Sequence, residues 1–274
     1  SPSAPSWAAS CAPTLLQSPA VCLWIPRSEA GDLGARLAEA YGRLPQDIPE
    51  CETSAICSER GSRVGVLTIE GFYESLIGRP DPPASFMDWL RIPERYLSQT
   101  CSGEVFSDPL GSFSAVRNVL LGFYPDDVLK KKLAANCAGM AQSGQYNYGR
   151  CVKRGDFGAA YLAGAEFIRH ALAALYLLNG RYMPFYKWAF RGTADFTCLP
   201  GCAGKLRALT SMPDLPLHRQ KLELIEEVCG MVGSELIRRG WSDNGDTFMQ
   251  YHAGRMMGSI NDENIRRLPV MYGE

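Results

Sequence analysis

Charge is missing from the start of this chain. No Asp, Glu, Lys or Arg precedes Arg27, and residues 1–19 are rich in Ser, Ala and Pro without hydrophobic periodicity. That texture reads as a disordered or non-native leader, and it lacks the basic segment that opens a secretory signal. Histidine is scarce: only His170, His218 and His252 occur among 274 residues. None stands at ligand spacing from Cys198 and Cys202, which leaves a zinc reading of that pair with little support. No arginine lies four to six residues before any histidine, which removes the R-x-x-x-x-H site of helical ribonucleases. The G-x-x-x-x-G-K-[ST], G-x-G-x-x-G, H-E-x-x-H and G-x-S-x-G signatures are all absent. Gly201-Cys202-Ala203-Gly204-Lys205 has the wrong spacing for a phosphate loop and no strand leads into it. The longest apolar stretch, Phe157–Leu178, is interrupted by Glu166, Arg169 and His170, so a buried helix fits it better than a membrane span.

What is present is ordinary globular composition: 46% hydrophobic and 21% charged residues, net charge -1 and pI near 6.3. A near-neutral chain is poorly suited to coating nucleic acid. Ten cysteines are present, but a chain this long needs no disulfide staple, and Cys137 and Cys151 fall inside helical apolar patterns where reduced thiols act as small hydrophobes. Reduced thiols and a cytoplasmic location are the expectation.

Ala20–Ile25 (AVCLWI) and Val64–Ile69 (VGVLTI) are short apolar runs suited to buried strands, and Ser28 can cap a helix between them that carries Leu33, Leu37, Ala40 and Tyr41 on one face. Gly71–Ile77 reads as a short helix ended by Gly78, followed by a turn at Arg79–Pro83 and helical segments at Ser85–Leu90 and from Pro93. Glu104–Phe106 is a candidate last strand or hairpin edge. From Asp126 onward apolar residues recur at helical spacing, then a nearly all-apolar helix runs from Asp156 to about Asn179, with shorter helices at about 183–191, 202–211 and 216–240. The expected fold class is α+β and mostly helical. A leader at 1–19 precedes a small mixed-sheet α/β unit at 20–112, and a helical bundle follows at 113–274.

Residues 126–191 hold 10 basic against 4 acidic residues, and 12 of the 28 aromatics fall between Tyr146 and Phe196. Basic groups interleaved with rings suit an anionic ligand carrying a flat ring, such as a nucleotide; equally, they suit a bundle core with Lys and Arg on its wet face. The densest block is Gln145–Asp156 (QYNYGRCVKRGD), with Leu178–Trp188 (LLNGRYMPFYKW) closing the next helix. Arg150, Lys153 and Arg154 are candidate phosphate ligands beside the helix N-terminus at Asp156, which is itself a natural N-cap. Tyr182, Tyr186 and Lys187 are candidates for a pocket wall, and Trp188 for the core. If the two long helices are antiparallel, the Gly149–Gly155 and Gly180 regions lie at opposite ends of the pair.

The runs AQSGQYNYGRCVKRGD, AEFIRHALAALYLLNGRYMPFYKW and FMDWLRIPE, with GEVFSDPLG and the ending VMYGE, resemble an uncharacterised bacterial family, domain of unknown function 4037. Members of that family look like nucleotidyltransferases, with a polymerase-beta-like α/β core and a helical substrate-binding bundle. The resemblance implies transfer of a nucleoside monophosphate from ATP or another nucleoside triphosphate, held by magnesium, to an unidentified acceptor, with a nucleotide or small-molecule acceptor as the expected partner. The chemistry needs paired carboxylates for the metal and a Gly-Ser turn for the phosphates. The family pattern puts both just before the Ala20–Ile25 strand, yet residues 1–26 contain no Asp or Glu. Gly61-Ser62 follows the helix and no D-x-D follows it. Glu70 is a weak candidate for a third metal carboxylate and is equally readable as a surface residue at a strand end; Asp88 and Asp108 carry no clearer signal. No metal ligand is therefore assigned. The expectation is a truncated, inactive nucleotidyltransferase-like chain; the alternative is a non-catalytic helical ligand-binding or protein-interaction domain.

Overall fold

A computed structural model describes residues 22–43, 65–243 and 245–273. The leader at 1–19, Gly61-Ser62 and Cys11, Cys51 and Cys57 lie outside the described residues. The chain opens with β1 (Cys22–Ile25), α1 (Asp32–Gly42), β2 (Gly65–Thr68) and α2 (Ile69–Ile77), then α3 (Phe86–Arg91), α4 (Glu94–Cys101) and α5 (Ser112–Leu121). Next come α6 (Asp126–Met140), a π-helix (Ala141–Tyr148), α7 (Gly149–Lys153) and α8 (Phe157–Leu178). The rest is α9 (Tyr186–Ala189), α10 (Cys202–Ser211), α11 (Asp214–Arg238), α12 (Met249–Gly258) and α13 (Glu263–Arg266). The fold is mostly helical α+β, as the periodicity predicts. It divides into two compact units, one holding the described residues up to Pro83 with Tyr96–Gly122, the other holding Ala84–Arg95 and everything from Phe123.

In the first unit β1 and β2 pair in parallel, from Cys22 opposite Gly65 to Ile25 opposite Thr68. Their near-continuous apolar runs are of the kind parallel strands carry, although only Ile25 of β1 is buried and Leu23 is exposed. Thr68 ends β2 and caps α2, its hydroxyl accepting the Gly71 N–H at 3.1 Å, and Gly78 closes the helix at φ 76°. Trp24 stacks on Phe113 at 4.5 Å, and the Tyr73 hydroxyl donates to the Phe113 carbonyl at 2.8 Å. Two expectations fail here. Ser28 lies in a short 3-10 turn at Arg27–Glu29, and α1 begins only at Asp32. Glu104–Phe106 forms no strand, so the sheet among the described residues is two-stranded and parallel, not mixed. Gly103 and Gly111 take left-handed φ values of 77° and 70°, and Asp108 accepts the Ser114 N–H at 2.7 Å. The intervening chain is thus folded as a capped loop, with Phe106 82% exposed.

The second unit is built on α6, its π-helical continuation and α8. Asn136 meets His170, with Oδ1 and Nδ1 3.1 Å apart. A Cβ on Gly139 would lie 2.3 Å from the His170 ring and one on Gly144 2.3 Å from Phe167. Partners that rise in one helix while falling in the other define an antiparallel pair, and the two glycines let the backbones approach closely. The last turns of α8, from His170 to Leu178, are buried, whereas Tyr161 and Leu162 in its first half are 67% and 66% exposed. No described helix is long and apolar enough to cross a membrane.

Candidate functional site

Arg150, Lys153 and Arg154 gather on α7 and its C-terminal cap, directly before α8. Arg150 donates to the Tyr146 hydroxyl at 2.6 Å and stacks 4.7 Å from that ring. Lys153 and Arg154 are exposed. Gly155 turns the chain at φ 72°, and Asp156 caps α8 by accepting the Ala159 N–H at 2.9 Å, so the structural role of Asp156 is realised.

The other candidates stand elsewhere. Twenty-two residues of α8 at about 1.5 Å each put roughly 33 Å between its ends. Tyr182, beyond the far end, is a core ring packed 4.8 Å from Phe123 and 5.0 Å from Tyr124. Tyr186 is 76% exposed and stacks against Phe185 at 4.4 Å. Lys187 and Arg191 lie 5.1 and 5.4 Å from the Trp188 ring centre, which is only partly buried. The basic trio and the Tyr182–Lys187 group therefore share no concavity.

At the basic end of α8 the fold builds a pocket that composition alone does not announce. A cavity of about 190 Å³ is walled by Tyr148, Phe167, Ile168, Leu209, Met212 and Ile225, with Lys221 on its lining. Tyr148 is the last residue of the π-helix, a geometry that recurs at functional sites. Its hydroxyl and Lys221 Nζ both donate to Asp214 Oδ1 at 2.7 Å. Lys221 and Tyr148 are 6% and 0% exposed, and the Asp214 side chain 11%. Burial, reinforced by Asp214, pushes the Tyr148 phenol up, so it stays a donor throughout the physiological range. The missed signal is a lysine at an apolar-stripe position, Lys221 preceding Ile225, Val228, Val232 and Leu236 at helical spacing.

A second buried ionic site lies under the aromatic cluster. Burial raises the Glu94 carboxyl to about 7, against the attraction of the Lys132 charge and a hydrogen bond accepted from the Met183 backbone. Its Oε1 is enclosed without a hydrogen-bond partner, although part of the residue reaches solvent.

The three candidate carboxylates are each engaged with backbone N–H groups. Glu70 sits in the first turn of α2 with Oε2 on the Arg27 N–H at 2.9 Å. Asp88 closes the capping box of α3, and Asp108 caps α5. No cluster of three or more His, Cys, Asp or Glu suited to a metal occurs among the described residues, the Cys198–Cys202 pair included.

Residues 89–189, which contain the basic trio, the π-helix and α8, match the family described as Domain of unknown function (DUF4037). Over this segment the chain is similar to that family. No curated protein and no solved structure matches the chain. The matched segment contributes Tyr148 and Phe167 to the pocket, while Lys221 and its partner Asp214 come from the chain that follows it.

Proposed function

We propose that this chain is a cytoplasmic, nucleotidyltransferase-like protein whose helical unit binds a nucleotide or a small anionic acceptor without transferring a nucleotidyl group through its described residues. The observation that supports it is the convergence of Arg150, Lys153 and Arg154 at the end of α8 that also carries the Tyr148–Lys221 pocket. Lys153 and Arg154 project as point charge and planar fork toward solvent, the pairing that recognises phosphate oxygens. Because Glu70, Asp88 and Asp108 are each held in backbone contacts, magnesium enters this reading only as the companion of ATP or another nucleoside triphosphate. The unbridged thiols of Cys137, Cys151, Cys198, Cys202 and Cys229 accord with a reducing compartment.

The test is calorimetric titration of ATP with and without magnesium. Saturable binding is expected, weakened about tenfold in Arg154→Ala and falling with salt. Absence of heat at millimolar ATP contradicts the binding claim, and transfer of labelled nucleotide to any acceptor contradicts the claim of inactivity. A second reading, a protein-interaction domain, is favoured by the exposed Phe185–Tyr186 pair beside Lys187, which suits an acidic protein partner. Charge reversal by Lys187→Glu would abolish such a complex while leaving ATP binding unchanged.

A further inference from the structure

The pocket beside α8 has chemistry of its own, separable from the nucleotide reading. Its walls are mostly aliphatic and aromatic, with Thr210 and the tyrosine hydroxyls as neutral polar groups and Lys221 as the one charged residue that lines it. An ammonium carries three N–H donors. Asp214 Oδ1 takes one at 2.7 Å, and the Tyr148 ring face lies 5.6 Å from Nζ. Two donors on a buried cation are thus left for an acceptor inside the pocket, and buried donors strongly favour being satisfied.

Size and charge narrow what that acceptor belongs to. A cavity of roughly 150 Å³ lined by Leu, Ile and Phe holds one benzene, so about 190 Å³ accommodates a single ring with a small substituent. A whole nucleotide is too large, because pockets for ligands of that size start at roughly 300 Å³. Lys221 and Asp214 already form a neutral pair with their side chains 7% and 11% exposed. An anionic ligand would add an unbalanced charge next to the Asp214 carboxylate, whereas an uncharged carbonyl oxygen takes the free N–H without disturbing the pair. Tyr148 and Phe167 offer ring faces and edges to a planar guest.

We propose that the pocket walled by Tyr148, Phe167, Leu209, Met212 and Ile225 binds one small, uncharged planar ring bearing a carbonyl oxygen, with that oxygen on Lys221 Nζ. Two sources supply this chemistry: the base of a nucleotide, or a free aromatic acceptor. Benzamide is a fitting probe, against benzoate, which adds a charge, and toluene, which lacks the oxygen. Ligand-observed NMR titration of the full chain should give saturable benzamide binding with Kd of about 1 mM or below, within reach of a ligand of about nine heavy atoms. Benzoate and toluene should each bind at least tenfold more weakly. The exposed pocket-edge residue Ala165 allows a variant that leaves the ion pair intact: Ala165→Trp fills the cavity and should abolish benzamide binding without changing the unfolding midpoint. Lys221→Met with Asp214→Asn removes the polar end and should bring benzamide down to the toluene level.

Competition between ATP and benzamide identifies the ring as a nucleobase; independent binding of both identifies it as a free acceptor. Failure of ATP to bind leaves this inference standing. Benzamide that does not saturate, or that binds Ala165→Trp as well as the parent, overturns it whatever ATP does. So does benzoate binding as tightly as benzamide.

Discussion

A lysine on the apolar stripe of a helix survives folding only with a counter-charge, and Lys221 shows the arrangement at its most exacting. Its partner Asp214 also receives the Tyr148 hydroxyl, so two donors share one carboxylate oxygen. Lys221→Met should cost about 3–5 kcal/mol, because it strands a largely buried carboxylate, while adding Asp214→Leu should restore most of the loss. Urea denaturation of the single and double variants checks this; a single variant within about 0.5 kcal/mol of the parent would show that the pair is not buried in solution. Glu94 makes a pH-dependent counterpart. Its carboxyl is raised from 4.5 to about 7, first by burial, against the opposing attraction of Lys132. Between those values the folded chain holds more protons than the unfolded one, so stability falls as pH rises from 4.5 to about 7 and then levels off. Glu94→Gln should flatten that decline, which is on the order of 1–3 kcal/mol. Urea midpoints for parent and variant across the window supply the comparison, and identical pH profiles would refute it. Asp108 and Glu235, whose carboxyls are lowered, act on the acid side and cancel in the difference.

Elements are tied together in this protein by a few side chains reaching far along the chain. From α6, Lys131 Nζ donates to the Pro269 and Val270 carbonyls at 2.8 and 2.7 Å, and Lys132 Nζ to the Gly273 carbonyl at 2.7 Å. Asp127 on the same helix accepts the Asn261 and Asp262 N–H groups at 3.0 and 2.8 Å. Ending the chain at Leu268 would leave two buried ammonium groups without their acceptors. Charge-assisted bonds of this kind contribute about 1.5–3 kcal/mol each, so the truncated protein should melt several degrees lower, since each kcal/mol moves Tm by about 2–4 °C at this size. An unchanged melting curve would count against a structural role for the segment. This element also shows what the sequence makes legible. The helices from Asp126 onward, the Gly78 stop and the Asp156 cap are local patterns, readable because apolar spacing and capping residues act within a few positions. Lys131 and Lys132, by contrast, read as members of a solvated basic run, because their acceptors lie 138 and 141 residues away. Tyr182 resembled a pocket wall for the same reason: its neighbours Phe123 and Tyr124 belong to another element. The Tyr148–Asp214–Lys221 group was invisible as a unit, although Tyr148 lies in the block that composition had marked. The expected strand at Glu104–Phe106 failed because glycines with left-handed backbone and the Asp108 cap determine that loop more strongly than its three residues favour extension.

For the whole molecule, the two units should differ sharply in local stability. In the first, the sheet among the described residues has two strands of four residues each, and Leu23 and Leu33 are 39% and 38% exposed. A two-stranded sheet is marginal without extensive cover. In the second, α6 and the last turns of α8 bury nearly every residue, including Leu133, Cys137, Met140, Leu175 and Leu177 at 0–1% exposure. Opening free energies follow burial and contact density. Amides at 22–25 and 65–68 should therefore exchange at least about 100-fold faster than those at 133–141 and 170–178, a gap of roughly 3 kcal/mol. Hydrogen exchange read by mass spectrometry measures both sets at once. The same experiment locates the ligand. A ring bound against Lys221 contacts the π-helix, the first half of α8, α10 and α11, and it stabilises what it contacts by mass action. Saturating benzamide should slow exchange at about 142–168 and 205–225, while the strand amides keep their rates. Protection confined to 22–25 and 65–68 would move the binding function into the α/β unit and require a different site from the one built around Tyr148.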